Sequence, residues 1–299
     1  MTHNASSSPV AVTAYEFVSG CGMSKTDLCE DLARNRRALE PIRLFELPFD
    51  TVVGEVTHPL PPIREELQAY ETRNAQLALA ALKHGLREAV LKAIDRYGES
   101  RFGPVLATST SGLYESEAAY AHYRESGRMP DDFNFICRHV YQATAQFLQL
   151  ELGLGGPCYA ISTACSSSTK ALAAGQRLIN AGICDAVLAE GVDTLCRLTL
   201  LGFQSLELVS SQPCAPMDID RQGINIGEGA GLLLLEKTNV SYKHLPHILA
   251  VGESSDAHHM SAPHPEGKGA ALAMHFALEA AGLKPDAIDY INLHATNAA

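Results

Sequence analysis

The chain has 299 residues, 46% of them hydrophobic and 19% charged, with a formal net charge of −11. That length suggests about two domains or one large α/β unit with a sizeable core, and the composition is globular and not disordered. The acidic balance argues against broad nucleic-acid binding, which needs a basic face, and no run approaches the 18 or more apolar residues of a membrane helix.

Met1 to Pro9 is polar and lacks the basic-then-apolar pattern of a signal peptide. Residues 1–8 are therefore expected to be a flexible tail, and the default compartment is cytoplasmic. Val10 to Val18 reads as an opening strand, and Lys25 to Leu39 as a short helix ending in Arg34, Arg36 and Arg37. That basic cluster is first a solvated helix end, and only secondarily a docking patch for an acidic partner. Five prolines make residues 41–62 an irregular crossing. From Glu65 to Tyr97 one long helix is predicted, because Ala75, Leu79, Leu82, Leu86, Val90 and Ile94 recur at spacings of three and four. Gly103 to Thr108 reads as a buried strand opening into the small-residue loop Ser109-Thr110-Ser111-Gly112, either a ligand loop or a plain turn. Residues 113–133 carry no clear pattern, and Phe135 to Leu150 is expected to be helical.

A Gly/Pro knot (Gly153, Gly155, Gly156, Pro157) precedes the short apolar run Cys158-Tyr159-Ala160-Ile161. After Ser162-Thr163-Ala164-Cys165-Ser166-Ser167-Ser168-Thr169, the segment Lys170–Ala181 has no breaker before Gly182 and reads as a capped helix. Cys165 thus falls where a strand turns into a helix, at a helix N-terminus whose partial positive charge favours a thiolate. Small neighbours let an acyl carbonyl approach the backbone N–H groups. A buried structural cysteine is the ordinary reading of any one thiol, but this setting favours a nucleophile. The eight cysteines show neither a C-x-x-C pair nor zinc-ribbon spacing, so reduced thiols are expected and no metal is implied.

Asp185 to Gly191 reads as a core strand, and Leu198 to Leu208 is apolar around Gly202-Phe203. The turn Gly227-Glu228-Gly229-Ala230-Gly231 precedes an apolar strand instead of opening a helix, which excludes a dinucleotide loop. His247 to Val251 looks like the start of a new unit, followed by a loop with His258, His259 and His264 whose spacing supports a polar substrate-facing role over a metal. Gly269 to Ala281 reads as a helix capped by Gly282, and Asp289 to His294 alternates like a strand with His294 at its end.

Taken together, these segments resemble the β-ketoacyl-acyl carrier protein synthases of the thiolase superfamily. The match runs through Ser162-Thr163-Ala164-Cys165-Ser166-Ser167, Gly191, Gly202-Phe203, Pro216-x-Asp218-x-x-Arg221-x-Gly223 and Gly227-Glu228-Gly229-Ala230. It continues in Ser255-Asp256-Ala257-x-His259-Met260-x-x-Pro263 and Asp289-Tyr290-Ile291-Asn292-x-His294. Ala164-Cys165-Ser166-Ser167-Ser168, Gly191-Val192-Asp193 and Phe203-x-Ser205-Leu206-Glu207 look closest to the synthases of bacterial aryl polyene pathways. Met217 and Ile224 stand where the family usually has Phe, apolar swaps expected to be tolerated.

The resemblance implies an α/β, thiolase-like layered α-β-α-β-α fold. Residues 9–244 would form the first half with the nucleophile, and 245–299 the beginning of a second, incomplete half. It implies Cys165 as acyl nucleophile and backbone oxyanion donor, His294 as a decarboxylation residue, and Phe203, Ser255, Asp256 and His259 near substrate. It implies no cofactor, an acyl carrier protein bearing a phosphopantetheine thioester as partner, and a homodimer or a heterodimer with a related synthase. The family's His-Gly-Thr-Gly-Thr-like run reads His294-Ala295-Thr296-Asn297 here, and its Lys, second catalytic His and glycine-rich Phe loop have no counterpart in the 299 residues. The chain alone is therefore expected to condense poorly. Arg124, Arg128 and the Arg34–Arg37 group are candidate carrier-protein contacts. The alternative is a non-catalytic partner subunit of the chain-length-factor type, against which Cys165 speaks; a cysteine hydrolase finds no peptidase-type motif around Cys165.

Overall fold

The computed structural model describes residues 8–259 and 263–294. Apart from Ser8, the expected flexible tail lies outside the described residues, as do Met260 and the run after His294.

In chain order the elements are β1 (Val10–Ser19), α1 (Lys25–Ala33), β2 (Glu40–Pro41), β3 (Val52–Val53), a 3-10 segment (Glu65–Tyr70), α2 (Arg73–Ala81), α3 (Leu86–Tyr97) and β4 (Phe102–Ala107). Then come α4 (Leu113–Ser126), α5 (Phe135–Arg138), α6 (Gln142–Leu152), β5 (Tyr159–Ile161), α7 (Ser167–Asn180), β6 (Ala186–Asp193) and α8 (Arg197–Ser205). The last two strands and the last α-helix among the described residues are β7 (Gly229–Lys237), β8 (His247–Ile248) and α9 (Lys268–Ala281), with a 3-10 turn at Pro285–Ala287 after them.

Six strands form one mixed sheet in the order β5-β4-β6-β7-β1-β8. β4 runs parallel to β5 and β6, while β7 is antiparallel to β6 and β1. Alternation along the strands sorts side chains to two faces. Phe102, Leu106, Leu188, Val192, Leu232 and Leu234 pack with residues of α2, α3 and α6. Val105, Ala107, Val187, Ala189 and Leu235 face the other way, onto Ala171, Ala174 and Ile179 of α7. The sheet is buried between helices on both sides, and its parallel strands at the β5 edge end where α7 begins.

Several elements are shorter than the periodicity predicts. The helix expected over 65–97 is three pieces. Thr72 is extended and its hydroxyl caps α2 by accepting from Ala75 N at 3.1 Å, and the αL residues His84 and Gly85 separate α2 from α3. The stripe still holds, because Ala75, Leu82, Leu86 and Val90 are buried. The helix expected to Leu39 stops at Ala33, before left-handed Asn35. The helix expected over 135–150 is divided into α5 and α6, and the patternless 113–133 contains the 14-residue α4. Residues 247–248, where a new unit is expected to open, pair with Val10 and Ala11 at the sheet edge. The strand expected over 289–294 is not one: among the described residues it has no neighbouring strand to complete a ladder, and its side chains are exposed.

Candidate active site

Cys165 lies between the end of β5 and the start of α7, on a turn of residues 162–166 that is solvent-exposed. β5 is held from both edges. One edge pairs with β4, and along the other Gln142 acts as a surrogate strand, donating to Cys158 O at 3.0 Å and accepting from Ala160 N at 3.0 Å.

The serine run closes the turn. Thr163 N donates to Ser167 Oγ at 2.8 Å, Ser167 Oγ donates to Ala164 O at 2.6 Å, and Ser166 Oγ donates to Thr163 O at 2.9 Å. Ser167 N also reaches Ala164 O, at 3.0 Å. These bonds hold Ala164 at φ +52°, a left-handed conformation costly for a residue with a Cβ. The strained residue immediately before the thiol reverses the chain, so that Cys165 projects from the turn instead of continuing the strand. The small residues therefore do more than leave room: two serine hydroxyls build the bend.

The floor beneath this turn is the carboxyl end of β4 and β6. Gly191 sits where an added Cβ would meet Ser168 Oγ at 2.8 Å and Ala107 O at 3.1 Å, so its lack of a side chain lets the first turn of α7 lie directly on the sheet. Two residues on, Asp193 Oδ1 accepts from Thr108 Oγ1 (2.9 Å), Ser109 N (2.7 Å), Thr110 N (3.0 Å) and Thr110 Oγ1 (2.9 Å). The loop 109–112 is thereby occupied by the protein's own carboxylate.

A buried ion pair secures the far side. Arg73 Nε and Nη2 donate to Glu228 Oε2 and Oε1 at 2.8 and 2.5 Å, and Val56 N and Leu195 N add 2.9 and 3.2 Å bonds to the same carboxylate. Burial opposes the Arg73 charge, but Glu228 more than offsets it and the guanidinium pKa is raised. Glu228 belongs to the glycine turn, whose function here is to bring a carboxylate into the core; β7 starts at the next residue.

Three other cysteines are inert by burial. It pushes the Cys158 thiol up to about 11 despite the Gln142 amide beside it, and raises those of Cys184 and Cys196. Exposure sets Cys165 apart from these three.

The descriptions of two family models cover the chain almost end to end: beta-ketoacyl synthase, N-terminal domain, over residues 7–240, and beta-ketoacyl synthase, C-terminal domain, over residues 245–299. The chain belongs to the beta-ketoacyl synthase family. Nodulation protein E of Rhizobium meliloti is 30% identical over 300 residues, spanning 96% of this chain and 73% of that protein. The 3-oxoacyl-[acyl-carrier-protein] synthase 2 of R. meliloti (strain 1021) is 31% identical over 232 residues, 74% of this chain and 55% of that one. A ketosynthase (ApeO) solved in complex with its chain length factor (ApeC) from Xenorhabdus doucetiae superposes with a TM-score of 0.89 at 37% identity, over 100% of this chain and 74% of that chain. The mixed α/β sheet flanked by helices is thus the thiolase-like fold of ketosynthases, and the chain spans about three quarters of the length of nodulation protein E and of ApeO.

Within this ketosynthase chain, the residues expected at the site fall into distinct places. Phe203 is half-buried on α8, and Ser255 and His259 are exposed in the loop before α9. Asp256 has a structural assignment: its Oδ2 accepts from His264 N at 2.9 Å and its Oδ1 from Gly269 N at 2.7 Å, folding the loop onto the first turn of α9. Those backbone donors, the His264 amide foremost, lower its pKa. His294 is exposed in the irregular run after α9, and among the described residues no hydrogen bond joins it to Cys165. Met217, one of the two apolar swaps for Phe, is 72% exposed at φ +67°.

In the sequence Asp193 stands out only as part of Gly191-Val192-Asp193, with no role of its own, and Gln142 does not stand out at all. For Asp193 a signal existed, an acidic residue ending an apolar strand opposite a Ser/Thr loop. For Gln142 none did, since its role depends on a strand edge seventeen residues away being next to it in space.

Proposed function

We propose that this chain is a β-ketoacyl-acyl carrier protein synthase that uses Cys165 to accept an acyl group and condense it with a malonyl unit, in fatty acid or polyene/polyketide biosynthesis. The observation that carries this reading is the exposed Cys165 on a serine-tied bend between β5 and α7, next to left-handed Ala164. In the first step the Cys165 sulfur attacks the thioester carbonyl of an acyl-carrier protein. The new C–S bond replaces the old one, and the phosphopantetheine thiol leaves with the proton. Malonyl-carrier protein then loses CO₂, and the resulting enolate carbon attacks the acyl-Cys165 carbonyl, forming the C–C bond and expelling the cysteine thiolate. On this reading the Cys165 N–H is one donor to the tetrahedral oxyanion, and His294 serves the enolate oxygen. Phe203, Ser255 and His259 line the approach on this reading, while Asp256 acts through the backbone it holds.

The partner is an acyl carrier protein, docked through Arg124 and Arg128 near the end of α4. We favour these two over the Arg34–Arg37 group, in which Arg34 and Arg36 pair with Glu30 and Asp31 and Arg37 donates to Cys214 O at 3.1 Å. Assembly as a homodimer or with a related synthase is part of the same reading, the second option supported by the ApeO complex. A cytoplasmic location suits eight free cysteines. The resemblance to aryl polyene synthases remains our subgroup assignment.

A second reading, a non-catalytic chain-length-factor-type partner, is favoured by the departure from the family run after His294. Incubation with an acyl-carrier protein or acyl-pantetheine thioester separates the two. The first reading expects an acyl mass adduct on Cys165 that is absent in Cys165→Ala; an unmodified wild-type chain supports the second.

A further inference from the structure

We infer that Asp193 is a positioning residue for the Cys165 turn, acting through the end of β4 and the end of β5. The inference rests on the reading of Cys165 as the acyl acceptor. Asp193 Oδ1 gathers four donors, two backbone N–H groups and two hydroxyls, all from residues 108–110 and all within 2.7–3.0 Å. Two of the three anchored residues, Thr108 and Thr110, pass the constraint on. Thr108 N donates to Ile161 O, the last residue of β5, at 3.2 Å, which fixes the point from which the Cys165 bend departs. Thr108 Oγ1 accepts from Ser111 N at 2.8 Å, and Ser111 Oγ donates to Val140 O at 3.0 Å, tying the loop to the chain two residues before Gln142. Thr110 Oγ1 accepts from Thr194 N at 2.9 Å, so the end of β6 is locked to the same loop. Gly191, on the same strand, takes the first turn of α7 through Ser168.

The Cys165 bend is therefore suspended between two supports, β5 and α7, and both rest on the last three residues of β6. A carboxylate suits the hub because one charged oxygen satisfies four donors that a neutral side chain of the same size satisfies less well. Without it, Ser109 N loses its acceptor, Thr110 N keeps only the 3.3 Å bond to Thr108 Oγ1, and the strained Ala164 conformation loses the framework that holds it.

The test compares wild type with Asp193→Ala and Thr108→Val, the second removing one hydroxyl of the hub at nearly constant shape. Two readouts are taken well below each variant's melting temperature. Hydrogen–deuterium exchange is expected to rise in peptides covering both 108–112 and 159–167, while the α3 peptide is unchanged. Single-turnover acylation of Cys165 by acyl-pantetheine is expected to slow by roughly 10- to 100-fold in Asp193→Ala and by a smaller factor in Thr108→Val, in the maximal rate and not in the half-saturating concentration. Asp193→Asn, which keeps one acceptor oxygen, should recover part of the rate. Faster exchange confined to 108–112, uniform loosening of α3 as well, or wild-type acylation in a folded Asp193→Ala overturns the proposal. If Asp193→Ala does not fold, Thr108→Val decides by the same criteria. If wild type itself is not acylated, the proposed function fails, and the exchange at 159–167 still shows whether Asp193 positions the turn.

Discussion

Helices α7 and α9 are both 14 residues long and both rich in Ala and Leu, yet they sit in opposite surroundings. In α7, Ala171, Ala173, Ala174, Gly175 and Ile179 are all buried against the sheet. In α9 only Gly269 is buried, and Leu272, Met274 and Phe276 are 42%, 54% and 40% exposed. The contact α9 does make is close: a Cβ on Gly252 would meet Ala273 O at 2.0 Å. Composition gives each helix an apolar surface, but burial needs a facing layer, and the sheet supplies one only to α7. Cys165 thus lies just before the well-packed helix, and Asp256 and His294 flank the sparsely packed one.

The contrast can be broken hardest in the packed region. Glu228→Ala would leave the Arg73 guanidinium and the amides of Val56 and Leu195 without their carboxylate, at an expected cost of about 3–5 kcal/mol. Chemical denaturation measures it, and a loss under about 1 kcal/mol would mean that the site is rebuilt by water. A matched pair of truncations sharpens the helix comparison. Ile179→Ala in α7 should cost about 2–5 kcal/mol through the cavity it opens. Met274→Ala in α9 should fall within about 0.5 kcal/mol. Equal losses would erase the distinction between the two helices.

The smallest effect is a pH dependence at α4. Burial raises the Glu115 pKa above its ordinary 4.5, only partly opposed by the Arg73 amide it accepts from and by the charges of Arg138 and Arg73. Its Oε2 is buried with no hydrogen-bond partner among the described residues. A raised carboxyl pKa means that the folded chain keeps a proton the unfolded chain has released. Stability from this group is present below the ordinary value and declines as pH rises through the folded value. Glu115→Gln keeps the acceptor for Arg73 N and removes the decline, so its melting temperature should gain on wild type between pH 4 and pH 7. A constant difference across that range would rule the effect out.

Legibility in the sequence followed locality. The strands at β4, β6 and β7 and the α7 and α9 helices were readable because apolar runs and Gly182 or Gly282 mark them within a few residues. So was the Cys165 bend, whose chemistry is in its own small residues. The division of 65–97 was hidden because the buried stripe keeps its spacing on both sides of Thr72 and of His84-Gly85, while the breaks lie in backbone dihedrals. α4 was hidden because Tyr120 and Tyr123 are exposed, leaving little contrast between its faces. The strand assigned to 289–294 shows the converse: alternation can be present without a neighbour to hydrogen-bond it. Asp193, Gln142 and the Arg73–Glu228 pair join residues 16 to 155 positions apart, a distance over which local pattern says nothing.

The place of β1 in the sheet has a consequence for how the chain acquires its shape during synthesis. Val10 pairs with Lys237 on one side and with Ile248 on the other. Among the described strands, β1 is therefore made before both of its partners, β7 and β8. At roughly 5–20 residues per second, its two edges stay open for about ten to forty-five seconds while β4, α7 and β6 are made and can already dock on one another. Pairing β1 closes a loop of more than two hundred residues, and its edges are without these partners for all of that interval.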